Sequence, residues 1–269
     1  MIKPYISGFL RRFGLLAGVE KLRFLLNQAT FKNSNTKYLN KHPDIEIPPD
    51  FFLYETYMLN YEVYYNDGLD TAREIISLLG KQYDILHKGT RCLDWGCGPA
   101  RVTRHLPGLL PEAELHAVDY NEQYINWCKS KIKGIRFEQT NISPPTLYPD
   151  AYFNIVMGLS VFTHLSELSH YAWLNELYRI IKPGGILFIT TQGKSYEYKL
   201  SADERHKFNE AELIIRDRVL EGNRLFSAFQ PPHFIKSLIK NKFEVIEFIA
   251  GEKNHKSPEQ DKWVLKKIE

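Results

Sequence analysis

Cysteine is scarce in this 269-residue chain: there are three, Cys92, Cys97 and Cys128. An odd number without framework spacing excludes a disulfide scaffold and predicts reduced thiols in a cytoplasmic protein. No second cysteine pair or histidine cluster stands at zinc-ligand spacing, so no metal site is expected. Long apolar runs are also missing, and none approaches the ~18–20 residues that cross a bilayer. The body lacks the basic excess typical of a nucleic-acid enzyme: beyond residue 43 it carries 27 Lys/Arg against 31 Asp/Glu, so no nucleic-acid partner is expected. There is no internal repeat and no low-complexity tract.

The positive charge sits in the first 43 residues, which hold eight Lys/Arg and one acid, Glu20. There Arg11, Arg12, Lys21 and Arg23 interleave with Phe9, Leu10, Phe13, Leu16 and Leu25 at roughly helical spacing. One reading is an ordinary helix packed on the main domain, and a second is peripheral membrane contact through residues 1–26. A basic presequence is a third, whereas the charges interrupting the apolar stretch exclude a secretory signal. Polar, proline-bearing residues 33–50 read as a linker. The expected organisation is therefore a helical arm and linker over 1–50 and one domain over 51–269.

That domain opens with helical sequence, broken near Asn66-Asp67-Gly68 and stopped at Gly80. Strands are predicted over Cys92–Trp95, Glu114–Asp119, Ile135–Gln139, Phe153–Gly158 and Gly185–Thr191. Helices are predicted from Arg101, over Glu122–Lys131 and over Tyr171–Ile181. This alternation means a parallel sheet with helices on both faces. Residues 194–229 are too long for a connecting loop and read as a polar, helical, lid-like insertion. Pro231-Pro232 then opens a short helix, and "FEVIEFIA" and "DKWVLKKI" read as an antiparallel pair.

The chemistry concentrates in "RCLDWGCGPAR" (91–101). A strand ending near Asp94 turns at once over Gly96 and Gly98, where Cβ-free backbone permits a sharp turn and close approach to a ligand. A dinucleotide fingerprint starting at Gly96 requires glycine at position 101, which is Arg101. The spacing acid-x-G-x-G-x-G fits better, with Ala100 in the last place. Asp119 ends the next strand, where a carboxylate can accept from ribose hydroxyls. That supports a nucleoside ligand without choosing between a nicotinamide dinucleotide and S-adenosylmethionine.

Four segments in order make the choice. "CLDWGCGPAR", "HAVDYN", "FNIVMGLSVFTHLSE" and "LYRIIKPGGILFITTQG" resemble the motifs of the class I S-adenosylmethionine-dependent methyltransferase superfamily over residues 88–193. The resemblance implies a Rossmann-like seven-stranded α/β sheet, parallel with a C-terminal antiparallel hairpin. It also implies S-adenosyl-L-methionine as cofactor. Carried over by position, Asp94, Gly96, Cys97 and Gly98 wrap its methionine part and Asp119 holds the ribose. Tyr120 lies near the adenine, Asn141 and Ile142 stand at the adenine edge, and Gly158 and Leu159 form the floor. Lys182-Pro183-Gly184-Gly185 is a structural turn. Three positions depart from the family pattern: Ala100 for the third glycine, Asn141 for a frequent Asp, and Asn154 for a common Asp.

The expected reaction is in-line methyl transfer, which rests mainly on placement of the acceptor. Where a proton must leave, His164 in "SVFTHL" is the candidate base, with His170, His206 and His233 as lesser alternatives. Its other reading is a capping or packing residue. Among Tyr54, Tyr57, Tyr61, Tyr64 and Tyr65, the substrate candidates are Tyr64 and Tyr65. The (Asn/Asp)-Pro-Pro-aromatic motif of amino-directed nucleic-acid methyltransferases is absent after the fourth strand, where "GLSV" stands. No carboxylate cluster resembles a catechol-type magnesium site. A small-molecule or glycan-type acceptor remains. The competing readings are a methyltransferase-like scaffold without turnover and a nicotinamide oxidoreductase.

Overall fold

The computed structural model describes residues 16–81, 88–217, 219–253 and 258–268. Two compact units divide the chain at Gly68. In the first, helix α1 (Leu16–Lys41) is followed by α2 (Asp50–Thr56). The polar stretch 33–41, expected as linker, is the last part of α1. Nothing in it breaks a helix before Pro43, and Asn35 and Tyr38 are buried. The Asn35 amide is the reason: it donates to Leu59 O (2.7 Å) and its oxygen accepts from Tyr61 N (3.0 Å). Helix α3 (Tyr61–Gly80) runs without interruption through Asn66-Asp67-Gly68, so the break expected there is absent. A single interior glycine costs about 1 kcal/mol in a helix, less than a buried face returns. Arm residues 1–15 lie outside the described residues.

The second unit is a seven-stranded sheet of order β3-β2-β1-β4-β5-β9-β8. The strands are β1 (Arg91–Trp95), β2 (Glu114–Asp119), β3 (Arg136–Gln139), β4 (Phe153–Gly158), β5 (Ile181–Thr191), β8 (Phe243–Ile249) and β9 (Asp261–Lys267). β1 to β5 pair in parallel, and β9 is antiparallel to both β5 and β8. The strand order reverses between β1 and β4, so their C-terminal ends open the crevice where such sheets take ligands. Helices α4 (Leu106–Leu109), α5 (Glu122–Lys131), α6 (Glu167–Ile180), α7 (Ala202–Asn209) and α8 (Pro232–Leu238) complete the unit. The helix expected from Arg101 starts as a single 3-10 turn, Thr103–His105, ahead of α4.

Two cores sit on opposite faces of this sheet. Leu93, Trp95, Val156, Leu187 and Trp263 pack against α6 and α8 through Trp173, Leu177 and Ile235. Cys92, Ile155, Phe188 and Val264 face Ala72, Ile75 and Leu79 of α3 and Leu106 of α4. The period-2 alternation of these strands is what produces two faces. Lys182–Gly185 is the expected structural irregularity, but as a bulge within β5 rather than a turn before it. Phe153 pairs with Ile181 and Ile155 with Ile186, with Gly184 at φ +70°. Asn154 holds this bulge: its side-chain oxygen accepts from Lys182 Nζ (2.9 Å) and from Arg91 N (3.1 Å).

The insertion 194–229 is only partly helical. A 3-10 turn (Lys194–Lys199) and α7 are followed by a two-stranded ribbon, β6 (Ile214–Arg216) with β7 (Ser227–Phe229). Leu200, Phe208, Ile214 and Phe229 give it a small core of its own.

The 140–148 loop, which carries Asn141 and Ile142, is tied to α6 through Glu176. That carboxylate accepts from Thr146 N (2.8 Å), Thr146 Oγ1 (2.5 Å) and Arg179 Nη2 (2.7 Å). Glu176→Ala is expected to cost about 2 kcal/mol, because the buried Thr146 groups lose their acceptor. Urea denaturation of the variant checks it.

Candidate cofactor site

The glycine turn is built from backbone geometry rather than side chains. Gly96 has φ +77°, and a Cβ there would lie 2.4 Å from Val161 Cγ2. Conformation and space both demand glycine. Gly96 N and Cys97 N donate to Val118 O (2.8 and 3.0 Å), which turns the chain back over the end of β2. Gly98, at φ +53°, donates its N–H to Asp119 Oδ2 (2.8 Å). Ala100 also takes a left-handed conformation, φ +59°, which a third glycine would adopt without strain. Its methyl is buried with Ala117, Ile125 and Phe137.

Asp119 ends β2 with its carboxylate wired on both oxygens, since Oδ1 accepts from Asn121 N (2.8 Å). Asn121 in turn caps α5, accepting from Gln123 N and Tyr124 N. Burial pushes Asp119 up to about 6, against the lowering effect of these backbone donors. Asp94 is likewise raised to about 6 by burial, partly offset by the Thr103 hydroxyl that donates to it. The proximity of Asp119 raises it further. Two buried carboxylates thus stand beside the glycine turn, holding protons more tightly than free ones.

The remaining expected positions fall around the same sheet edge. Gly158 closes β4 against the Trp95 ring; a Cβ there would meet Trp95 Cε3 at 2.7 Å. Trp95 is held from below by Phe162 and Trp173, at ring distances of 5.3 and 4.8 Å. Leu159 follows, half-buried. Asn141 and Ile142 are exposed, and Ile142 O accepts from Trp173 Nε1 (2.9 Å). Tyr120 is exposed, with its hydroxyl donating to Gly222 O (3.0 Å). The Cys97 side chain is buried, its thiol pushed well up by burial, which leaves only its backbone toward a ligand.

The tyrosine and histidine candidates are packed or engaged within the protein. Tyr64 is fully buried with Leu53 and Leu59 in the core of the first unit, and Tyr65 is half-buried. The His164 ring is engaged: Nδ1 lies 2.9 Å from Phe226 O, and Asn223 backbone is a second partner. Burial lowers its pKa, so the ring is neutral. His170 is wholly buried, between Ser166 O (2.7 Å) and the Gln230 amide (3.2 Å), and burial lowers it to about 4. Sequence reasoning missed Ser160, Thr190 and Gln260. Ser160, at φ +59°, receives its shape from Thr190 Oγ1, which accepts from Ser160 N (2.8 Å). Gln260 Oε1 accepts from both hydroxyls, at 2.9 and 2.6 Å. Separations of 70 and 100 residues left no local signal for this cluster.

A family profile described as "Methyltransferase domain" matches residues 92–185, the stretch from β1 into β5. That match supports the class I S-adenosylmethionine-dependent methyltransferase superfamily that the motifs resemble. The chain is 29% identical over 175 residues to a malonyl-[acyl-carrier protein] O-methyltransferase of Bacillus cytotoxicus, covering 64% of this chain and 59% of that protein. A fatty-acid O-methyltransferase of Mycolicibacterium smegmatis is 28% identical over 112 residues, 41% of this chain and 40% of that one. The chain thus spans less than two thirds of the length of either relative. A solved SAM-dependent methyltransferase of Methanosarcina mazei, 17% identical, shares the fold at a TM-score of 0.54 over 69% of this chain and 95% of its own.

The superfamily's cofactor is S-adenosylmethionine, and the residues present fit it. Side-chain-free, left-handed backbone at Gly96 and Gly98 stands beside the Asp119 carboxylate at the sheet edge, the close-approach backbone and acceptor that such a cofactor calls for. Ribose hydroxyls donate more strongly to an ionised acceptor than to a protonated one. The carboxyl is ionised above about 6 and protonated below. Affinity for S-adenosylhomocysteine is therefore expected to be level from pH 7 to 8 and to fall as pH drops through 6. Asp119→Asn should bind at least tenfold more weakly at pH 7.5. Calorimetric titration across pH 5–8 measures both.

Proposed function

We propose that this protein is a methyltransferase that esterifies a small-molecule acid, taking the methyl from S-adenosylmethionine onto a carboxylate oxygen. The observation that carries the acceptor choice is the engagement of His164. Its ring is committed to Phe226 and Asn223, and its pKa is held down. A hydroxyl or protonated amine must give up a proton on methylation and calls for a base. An ionised carboxylate has no proton to lose. The two relatives named for acyl acids, malonyl-[acyl-carrier protein] and fatty acid, fit this reading.

The bound cofactor supplies an electrophilic methyl carried on a sulfonium. The chain's own residues then do three things. Asp119 and the Gly96–Gly98 backbone hold the donor in register with the end of β4. Gly158, packed flat on Trp95, keeps the floor free of side-chain bulk. Ser160, fixed by Thr190 and Gln260, shapes the rim on the acceptor side. Placing nucleophile and methyl about 3–3.5 Å apart in line is worth most of the rate such a reaction needs.

Incubation with labelled methyl donor and a panel of acyl acids, glycans and hydroxylated aromatics tests this. Methyl esters, identified by mass and by lability to mild alkali, are the expected product. Labelling of glycan or phenol alone would refute the acid reading while keeping the transferase.

Peripheral membrane contact belongs to the same proposal, since lipid-soluble acids reside there. Leu22, Leu25 and Leu26 of α1 are exposed at 57%, 49% and 58%, with Lys21 exposed and Arg23 half-buried beside them. The +7 charge of residues 1–43 complements an anionic surface. Flotation with anionic vesicles is expected, and its loss in a Leu22→Ser/Leu25→Ser/Leu26→Ser variant. A protein that stays with neutral and anionic vesicles alike at the bottom of the gradient would refute it.

A further inference from the structure

One segment of the insertion reaches back across the C-terminal edge of the sheet. Residues 219–226 (Val-Leu-Glu-Gly-Asn-Arg-Leu-Phe) leave the ribbon between β6 and β7 and are anchored at three places. Glu221 joins the start of α6: Oε1 accepts from Ser166 N (3.1 Å) and Oε2 from Ser169 Oγ (2.7 Å). The loop after β4 holds the middle and the end. Gly222 N donates to His164 O (3.0 Å), and the His164 ring faces Phe226 O (2.9 Å). Tyr120, just past β2, donates to Gly222 O (3.0 Å).

Gly222 itself is seated between two side chains. At φ +77°, a Cβ on it would lie 2.8 Å from Ile142 Cδ1 and 2.8 Å from Tyr120 Cε1. Tyr120 and Ile142 are two of the three residues expected at the adenine, the third being Asn141. A segment from outside the Rossmann-like alternation therefore lies against both Tyr120 and Ile142.

We infer that residues 219–226 are the outer wall of the nucleoside site, with Gly222 the residue that contacts its rim and Glu221 the latch that positions it. This rests on the assignment of Tyr120 and Ile142 to the adenine. The wall has two consequences. A side chain at 222 intrudes on the space between Tyr120 and Ile142 and weakens cofactor binding. Release of the cofactor requires the wall to lift, so loosening the latch speeds exchange. His164 is a positioning residue in this arrangement: it acts through Asn223 and Phe226, not on the methyl.

Stopped-flow measurement of S-adenosylhomocysteine association and dissociation on the full chain tests the wall. Glu221→Gln and Tyr120→Phe are the chosen variants, since each keeps its shape and removes one contact. A lost hydrogen bond at such a contact corresponds to roughly 3- to 10-fold. Dissociation is expected to quicken by that factor in each variant. Gly222→Val should weaken equilibrium binding by tenfold or more, with thermal unfolding followed in parallel. Rates and affinity equal to wild type in folded Glu221→Gln and Tyr120→Phe would overturn the wall. Wild-type protein that fails to bind S-adenosylhomocysteine at all would instead overturn the cofactor assignment, and the wall with it. Binding lost only in Asp119→Asn, with unchanged exchange in the wall variants, would leave that assignment standing and refute the wall alone.

Discussion

Much of the site hangs on the carboxylate of Asp119. It ends β2, yet its two oxygens take the N–H of Gly98, from the turn after β1, and of Asn121, at the cap of α5. Two turns and a helix terminus therefore share one acceptor. Such backbone donors favour the ionised form, but burial outweighs them and the pKa is raised. Asp119 in turn raises its neighbour Asp94, which is buried as well. A carboxyl raised in the fold holds its proton more tightly than in the unfolded chain. Its contribution to stability is full at low pH and is lost as pH rises through about 6. The site thus keeps two charges that burial disfavours at neutral pH. Ribose hydroxyls donating to one of them would relieve part of that cost on binding.

The opposite half of the sheet edge solves a different problem. The chain leaving β4 must turn sharply without raising bulk over Trp95. Gly158 meets the second demand and the left-handed Ser160 the first. A serine in that conformation needs outside support, and Thr190 of β5 and Gln260 before β9 provide it. The antiparallel hairpin of β8 and β9 is thereby more than an edge to the sheet, because Gln260, in the connection just before β9, braces the loop that follows β4.

What could be read in the sequence was what short-range chemistry decides. Glu114–Asp119, Glu122–Lys131 and Phe153–Gly158 occupy the predicted residues, because alternation, an Asn cap and a terminating glycine all act within a few positions. The glycine turn was legible for the same reason, since φ above zero leaves few residue types to choose from. Features decided at long range were not. Residues 33–41 are helical because Asn35 meets Leu59 and Tyr61, and α3 passes through Gly68 because burial outweighs a local penalty. The ribbon β6–β7 consists of two three-residue strands, too short for a period to show.

His164 makes the same point at the level of chemistry. A histidine just past β4 has the right residue type, the right place and a neutral ring, and on those grounds alone it qualifies as a base. Its partners favour the positioning role proposed above. An imidazole whose Nδ1 faces Phe226 O cannot lend that nitrogen to a substrate without releasing the segment from 219 to 226. The ring's lowered pKa then has a structural meaning: protonation would bury a charge, and that cost outweighs the help of the Phe226 and Asn223 backbone. In the proposed reaction, whose nucleophile is already ionised, such a residue is best employed in holding the proposed wall in place. The chemistry of the acceptor and the architecture of the insertion thus lead to one account of the same side chain.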